Sequence, residues 1–382
     1  MMLALANARI LTPAGFLENA AVLIEGTKIS GIVGKDDIPA DADITDLDGQ
    51  TLVPGFIDTQ VNGGGGVLFN DSPTVDAIAA IGATHRAFGT TGFLPTLISD
   101  DLAVVRRGIE AVGAAIDAGV PGVLGIHIEG PFLNADRKGI HDKSKIRALD
   151  DEGFAAITSL RRGKTLVTLA PERTTPEMIR RLANYGVIVA AGHSDGSYQQ
   201  IHTALDYGLT GFTHLFNAMS PLTAREPGVV GAALEDAESW CGLIVDGRHV
   251  HPTTMRLALR CKPADRFMLV TDAMPSVGKV DKHFLLQGRP INVVDGVCVN
   301  QDGTLAGSDL DMAMAVRNAR HMLGVSLEMA VRMASLHPAR FLGIDAETGT
   351  IAPGLSADMV LLDDSGQVLE SWIAGKAARA LR

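Results

Sequence analysis

Between residues 51 and 345, short apolar runs alternate with helix-patterned stretches, and this alternation most limits the folds open to the chain. Eight runs read as strands: LVPGFIDTQ, GFLPTLIS, GVLGIHIEG, TLVTLAP, GVIVAAGHS, LTGFTHLF, CGLIVDG and RFMLVTDA. Helix-like segments such as TVDAIAAIGATHRAFG and PEMIRRLANYG lie between most of them. Strands and helices in turn call for parallel strands joined by helical crossovers. Eight in succession predict an α/β fold, a (β/α)8 TIM-like barrel, with a doubly wound open sheet as the alternative. Residues 283–308 read as a β-hairpin inserted after the last strand.

The two ends have another character. LALANARILT and AAVLIEGTKISGIVG near the start, and GTIAPGLSADMVLLDDSGQVLESWIAGKAARAL near the finish, read as short strands with glycine turns. Neither end can bury a core alone. They are expected to pair into one small discontinuous β-sandwich domain, residues 1–50 plus 346–382, beside a catalytic barrel of residues 51–345.

Composition narrows the class. Hydrophobic residues make up 46% and charged residues 20%, as in a globular enzyme. Aromatics are only 4%, so aliphatic side chains must fill the core. A net charge of -11 argues against a nucleic-acid surface but not against a small anionic substrate, which responds to local charge. No apolar run reaches the ~18–20 residues of a membrane span. The N-terminal MMLALANARILTP lacks the basic region and cleavage pattern of a signal peptide. Three scattered cysteines imply no disulfide framework and a cytoplasmic protein.

Reactive side chains gather at the C-terminal ends of the strands: Glu129 on the third, His193 on the fifth, His214 on the sixth and Asp272 on the eighth. Barrel enzymes work at that rim. Taken singly, Glu129 serves equally as a helix cap or ion-pair partner, His193 and His214 as core histidines, and Asp272 as a turn cap. Taken together, two imidazoles and a carboxylate form a ligand set for Zn²⁺ or Fe²⁺, with Asp272 beside it as a base. His127 shares the face of Glu129 and reads as a structural or ligand-supporting histidine, and His85 as structural. On the first strand, Asp58, Gln60 and Asn62 alternate onto one face. Two of them are amides, which are poor metal ligands.

HIEGPFLN (127–134), KGIHD (138–142), AGHSDG (191–196), THLFNAM (213–219), REPG (225–228), DGRHV (246–250), VTDAM (270–274) and LAGS (305–308) give the chain a specific likeness. It resembles the amidohydrolase superfamily and, within it, the N-acetylglucosamine-6-phosphate deacetylase family. That resemblance implies hydrolysis of an N-acetyl amide to acetate and glucosamine 6-phosphate, as a step of amino sugar metabolism. It implies one divalent metal per subunit, Zn²⁺ or Fe²⁺, held by Glu129, His193 and His214 with water as the nucleophile. Asp272 would act as general base and then acid, and His141 would polarise the carbonyl. Many superfamily members carry His-x-His for a second metal where this chain has Gln60 and Asn62, which implies that the second position is vacated. The end of TLVTLAPE also lacks the lysine that bridges two metals in cyclic-amide hydrolases. Arg225, His249 and the backbone at Asn217 and Ala218 would bind the phosphorylated sugar, and Leu305 would line the acetyl pocket. A homodimer is implied, with the phosphate pocket near its interface. An amidohydrolase for another N-acyl sugar or a cyclic amide, and a barrel that has lost its chemistry, are the competing readings.

Overall fold

The computed structural model describes residues 2–378. Met1 and residues 379–382, which belong to the expected small domain, lie outside the described residues.

Eight parallel strands form the central sheet: β1 (Phe56–Val61), β2 (Thr90–Ile98), β3 (Gly125–Glu129), β4 (Lys164–Leu169), β5 (Ile188–Ala191), β6 (Leu209–Phe212), β7 (Trp240–Leu243) and β8 (Phe267–Leu269). Each pairs with its neighbour in chain order, in parallel register. Helices pack outside, so the strands are covered on both faces and read as apolar runs. All nine residues of β2 and all five of β3 are buried. A capping box starts the helix Tyr198–Asp206: Ser197 Oγ accepts from Gln200 N, and Gln200 Oε1 accepts from Ser197 N. The cap satisfies orphan amides at the first turn and sends the chain back down after β5.

No ladder joins β1 to β8. Short contacts just beyond β8 close the seam instead. Asp272 N donates to Gln60 O at 3.0 Å, and Asn62 N donates to Ala273 O at 2.9 Å. The buried Asp58 carboxylate accepts from Thr271 Oγ1 at 2.5 Å. Asp58 also accepts from Gln60 N.

Described strands from the N-terminal and C-terminal regions meet in one eight-stranded sheet with its own core of Leu5, Ile10, Val22, Leu52, Met359 and Trp372. The expected first barrel strand is in fact two. Thr51–Pro54 belongs to the terminal sheet, antiparallel to Met359–Leu362, and β1 begins after Gly55. A Cβ at Gly55 would stand 2.0 Å from Thr91 Oγ1, so only glycine allows β2 to pass this close to the joint.

The inserted segment is larger than a hairpin. It is a four-stranded antiparallel sheet of β9 (His283–Leu286), β10 (Arg289–Val294), β11 (Val297–Val299) and β12 (Leu305–Ser308). Its Leu286, Ile291, Cys298 and Ala306 pack with Leu68, Ile98 and Met274 above the barrel. Among the described residues no helix is long and apolar enough to cross a membrane.

Candidate metal and active site

The strand ends and the inserted sheet enclose a cavity of about 240 Å³. Its wall includes Asn62, Glu129, His141, His193, His214, Asn217, Ala218, His249, Asp272 and Leu305. All but two of the predicted site residues thus come together. Gln60 lies just behind the wall. Arg225 is exposed outside the cavity of its own chain.

Glu129 ends β3, and its Oε1 lies 3.2 Å from His193 Nε2 and 2.9 Å from His214 Nε2. The two Nε2 atoms are 3.1 Å apart. All three residues are buried, and their ligand atoms fall within 4.8 Å of one another. Burial alone would raise the Glu129 pKa, but the two imidazoles outweigh it and hold the carboxyl well below the usual range. Burial alone would lower His214, and Glu129 overrides that and raises it. Imidazole, imidazole and carboxylate converging on one buried point fit a divalent transition metal. His193 Nδ1 contacts Arg137 O at 2.9 Å, so the ring is anchored at its far nitrogen, as ligating histidines usually are. A cation at this point would need His214 and His193 to present unprotonated Nε2 atoms to it.

The backbone here is unusual. His193, His214 and Asp272 sit at φ of 49°, 34° and 53°, a left-handed region that side chains with a Cβ seldom enter. Each occupies the sharp turn where a strand hands over to its loop, which aims the side chain at the barrel axis.

Asp272 is held from one side. Gln60 Nε2 and Asn62 Nδ2 donate to its Oδ1 at 3.2 and 2.6 Å, which leaves Oδ2 as the freer, more basic oxygen. Gln60 Nε2 also reaches Glu129 Oε2 at 3.1 Å. The two amides therefore supply neutral donors to two carboxylates. Burial, then the Glu129 charge, pushes the Asp272 pKa up to about 6. A carboxyl tuned this way can accept and return a proton near neutrality.

His141 faces the metal set across a 4.4 Å ring contact with His193. Burial, then the neighbouring His193, pushes its pKa down to about 3, so the ring is neutral. His249 Nδ1 is tied to Asp246 Oδ2 at 2.6 Å, which leaves Nε2 for the cavity. His127 lies below, its Nε2 2.7 Å from Thr168 Oγ1, and does not reach the ligand set. His85 Nε2 contacts Gly63 O, a structural role.

Three residues that sequence reasoning passed over also build the site. Glu172 follows β4 and accepts from Asn134 Nδ2 at 2.9 Å, Ser194 Oγ at 2.6 Å and Asp195 N at 2.7 Å. It ties the loops after β3, β4 and β5 together. Ser99, just past β2, contacts His141. Leu286 arrives from the inserted sheet to join the cavity wall. Ser99 was open to detection as a polar residue ending an apolar strand, the rule that singled out Glu129. Glu172 and Leu286 left no such mark.

The amidohydrolase family model matches residues 51–378, and a NagA composite domain model matches residues 2–52. The chain is 43% identical over 379 residues to an N-acetylgalactosamine-6-phosphate deacetylase of Shewanella sp. (strain ANA-3), covering 98% of this chain and 95% of the relative. It is 33% identical to an N-acetylglucosamine-6-phosphate deacetylase of Haemophilus influenzae, covering 98% and 99%. The crystal structure of N-acetylglucosamine-6-phosphate deacetylase from Pasteurella multocida superimposes with a TM-score of 0.96 at 34% identity, covering 99% of each chain.

Proposed function

The chain belongs to the amidohydrolase family, and on that premise we propose that it hydrolyses the N-acetyl amide of N-acetylglucosamine 6-phosphate, releasing acetate and glucosamine 6-phosphate. One observation carries the reading: the buried Glu129–His193–His214 set shares a cavity with Asp272, His141 and His249.

Glu129, His193 and His214 would hold one divalent cation per chain, zinc or ferrous iron, whose Lewis acidity polarises the amide carbonyl and acidifies water. Asp272 takes a proton from the water as its oxygen attacks the carbonyl carbon. His141 donates a hydrogen bond to the carbonyl oxygen as negative charge gathers there. Asp272 then returns its proton to the amide nitrogen, the C–N bond breaks, and the sugar leaves as an amine. Gln60 and Asn62 occupy the position of a second metal and hold Asp272 Oδ1 in its place.

His249, with the backbone at Asn217 and Ala218, binds the sugar phosphate end, and Leu305 borders the acetyl group. Arg225 serves the phosphate from an exposed loop. A homodimer in which each copy completes the pocket of the other accounts for a phosphate-binding arginine outside its own cavity. The free cysteines Cys241, Cys261 and Cys298 suit the cytoplasm.

The 43% identity to the Shewanella enzyme favours a second reading, in which N-acetylgalactosamine 6-phosphate is the substrate. The two sugars differ at C4 only, and the chemistry at the amide is the same. Acetate release should be measured on both phosphorylated sugars and on unphosphorylated N-acetylglucosamine. Fast release from the gluco phosphate supports the assignment, and faster release from the galacto epimer moves it to the second reading. Equal release without the phosphate would refute the roles given to Arg225 and His249.

A further inference from the structure

His141 is placed by two contacts at a single ring nitrogen. The backbone N–H of Ser99, a fully buried residue, donates to His141 Nδ1 at 3.2 Å. Ser99 Oγ lies 2.8 Å from the same atom. An amide N–H can only donate, so Nδ1 must be the bare nitrogen of the ring, and the Ser99 hydroxyl must donate as well. The single ring proton is then on Nε2, for which the described residues offer no partner. Gly130 makes the approach possible: a Cβ there would stand 2.3 Å from Ser99 Oγ.

The same residue is gripped through its carbonyl. Gln287 Nε2 donates to Ser99 O at 2.9 Å. Gln287 opens the two-residue turn between β9 and β10, with φ of 49° followed by 77° at Gly288, the left-handed pair that a tight hairpin needs. The tip of the inserted sheet thus fastens onto the residue that orients the histidine.

We propose that Ser99 and Gln287 are positioning residues for the reaction: Ser99 fixes His141 as the Nε2–H tautomer, and Gln287 latches Ser99 to the inserted sheet. The consequence is chemical. A ring locked this way offers a carbonyl oxygen a donor, whereas the other tautomer would present it with a lone pair. The inference deepens the deacetylase reading and rests on the role given there to His141.

The first test is the ¹⁵N spectrum of the full-length, zinc-loaded protein with labelled histidine, the His141 signals being those lost in His141→Asn. A proton on Nε2 and none on Nδ1 is expected; a proton on Nδ1 overturns the proposal. The second is Gln287→Ala, in which kcat should fall by about 10-fold with KM and metal content unchanged. Wild-type kcat in that variant, or a loss matched by a fall in metal content, overturns the latch. An Nε2 proton in a protein that releases no acetate from any of these sugars supports the tautomer while refuting the deacetylase reading, so the two failures are distinguishable.

Discussion

Asp272 shows how much of this site is decided by single side chains. Its Oδ1 is committed to two amides, and its acidity is set by burial and by the Glu129 charge. In the proposed mechanism Asp272→Asn removes the proton carrier without removing a ligand, so kcat should fall about 10²–10⁴-fold while bound metal, measured by elemental analysis, stays constant. As the proposed base, Asp272 must be ionised to act. With its pKa raised to about 6, kcat should decline as pH drops through that value. A bound cation favours the carboxylate and can only move the decline lower, which a pH–kcat profile of the loaded enzyme will locate. Asn62→Asp replaces a donor 2.6 Å from Oδ1 with a like charge and should move the same limb upward by about one pH unit. Glu129, His193, His214 and Asp272 were legible in the sequence because each ends an apolar strand, and chemistry at a strand end has one rim to face. Glu172 was not, since its meaning lies in three loops that become neighbours only when the barrel closes.

At the scale of elements, eight strands in order were legible because the apolar runs are short and regularly interrupted. Gly55 was not legible as a break. The run from Leu52 to Val61 is buried without a gap, so hydrophobicity gives no sign that the chain changes sheets there. The sequence of the inserted sheet suggests one hairpin where there are four strands, since its weakly apolar strands carry little periodicity. One helix end offers a stability test. Lys262 has a fully buried side chain whose Nζ donates to Ala233 O, Asp236 O and Ser239 Oγ, closing the helix Gly228–Glu235. Lys262→Met keeps most of the volume and orphans those acceptors. Urea unfolding should show a loss of about 2–3 kcal/mol, with kcat little changed because the cap is remote from the cavity wall.

A cation held as proposed would couple the whole molecule to itself, because Glu129, His193 and His214 are buried and come from three separate strand ends. A ligand bound only by the folded chain adds RT ln(1 + [L]/Kd), about 4 kcal/mol at a thousandfold excess over Kd. Stripping the metal with a chelator should therefore lower the melting temperature measurably, and zinc or ferrous iron should restore it. A protein whose melting is indifferent to both would have no cation in this pocket.

The ladderless seam between β1 and β8 has a further consequence, for the order of events when the chain folds. The contacts that shut the barrel join Asp58 to Thr271 and Gln60 to Asp272, partners more than two hundred positions apart in the chain. Such long-range closures are slow to form. They are also the contacts that bring the Asp272 backbone to its post. A chain that has built its strands and helices but not shut the seam has not yet placed Asp272, the proton carrier of the proposed mechanism. On refolding, helical signal should return before acetate release does, so that catalysis serves as the molecule's own certificate of completed folding.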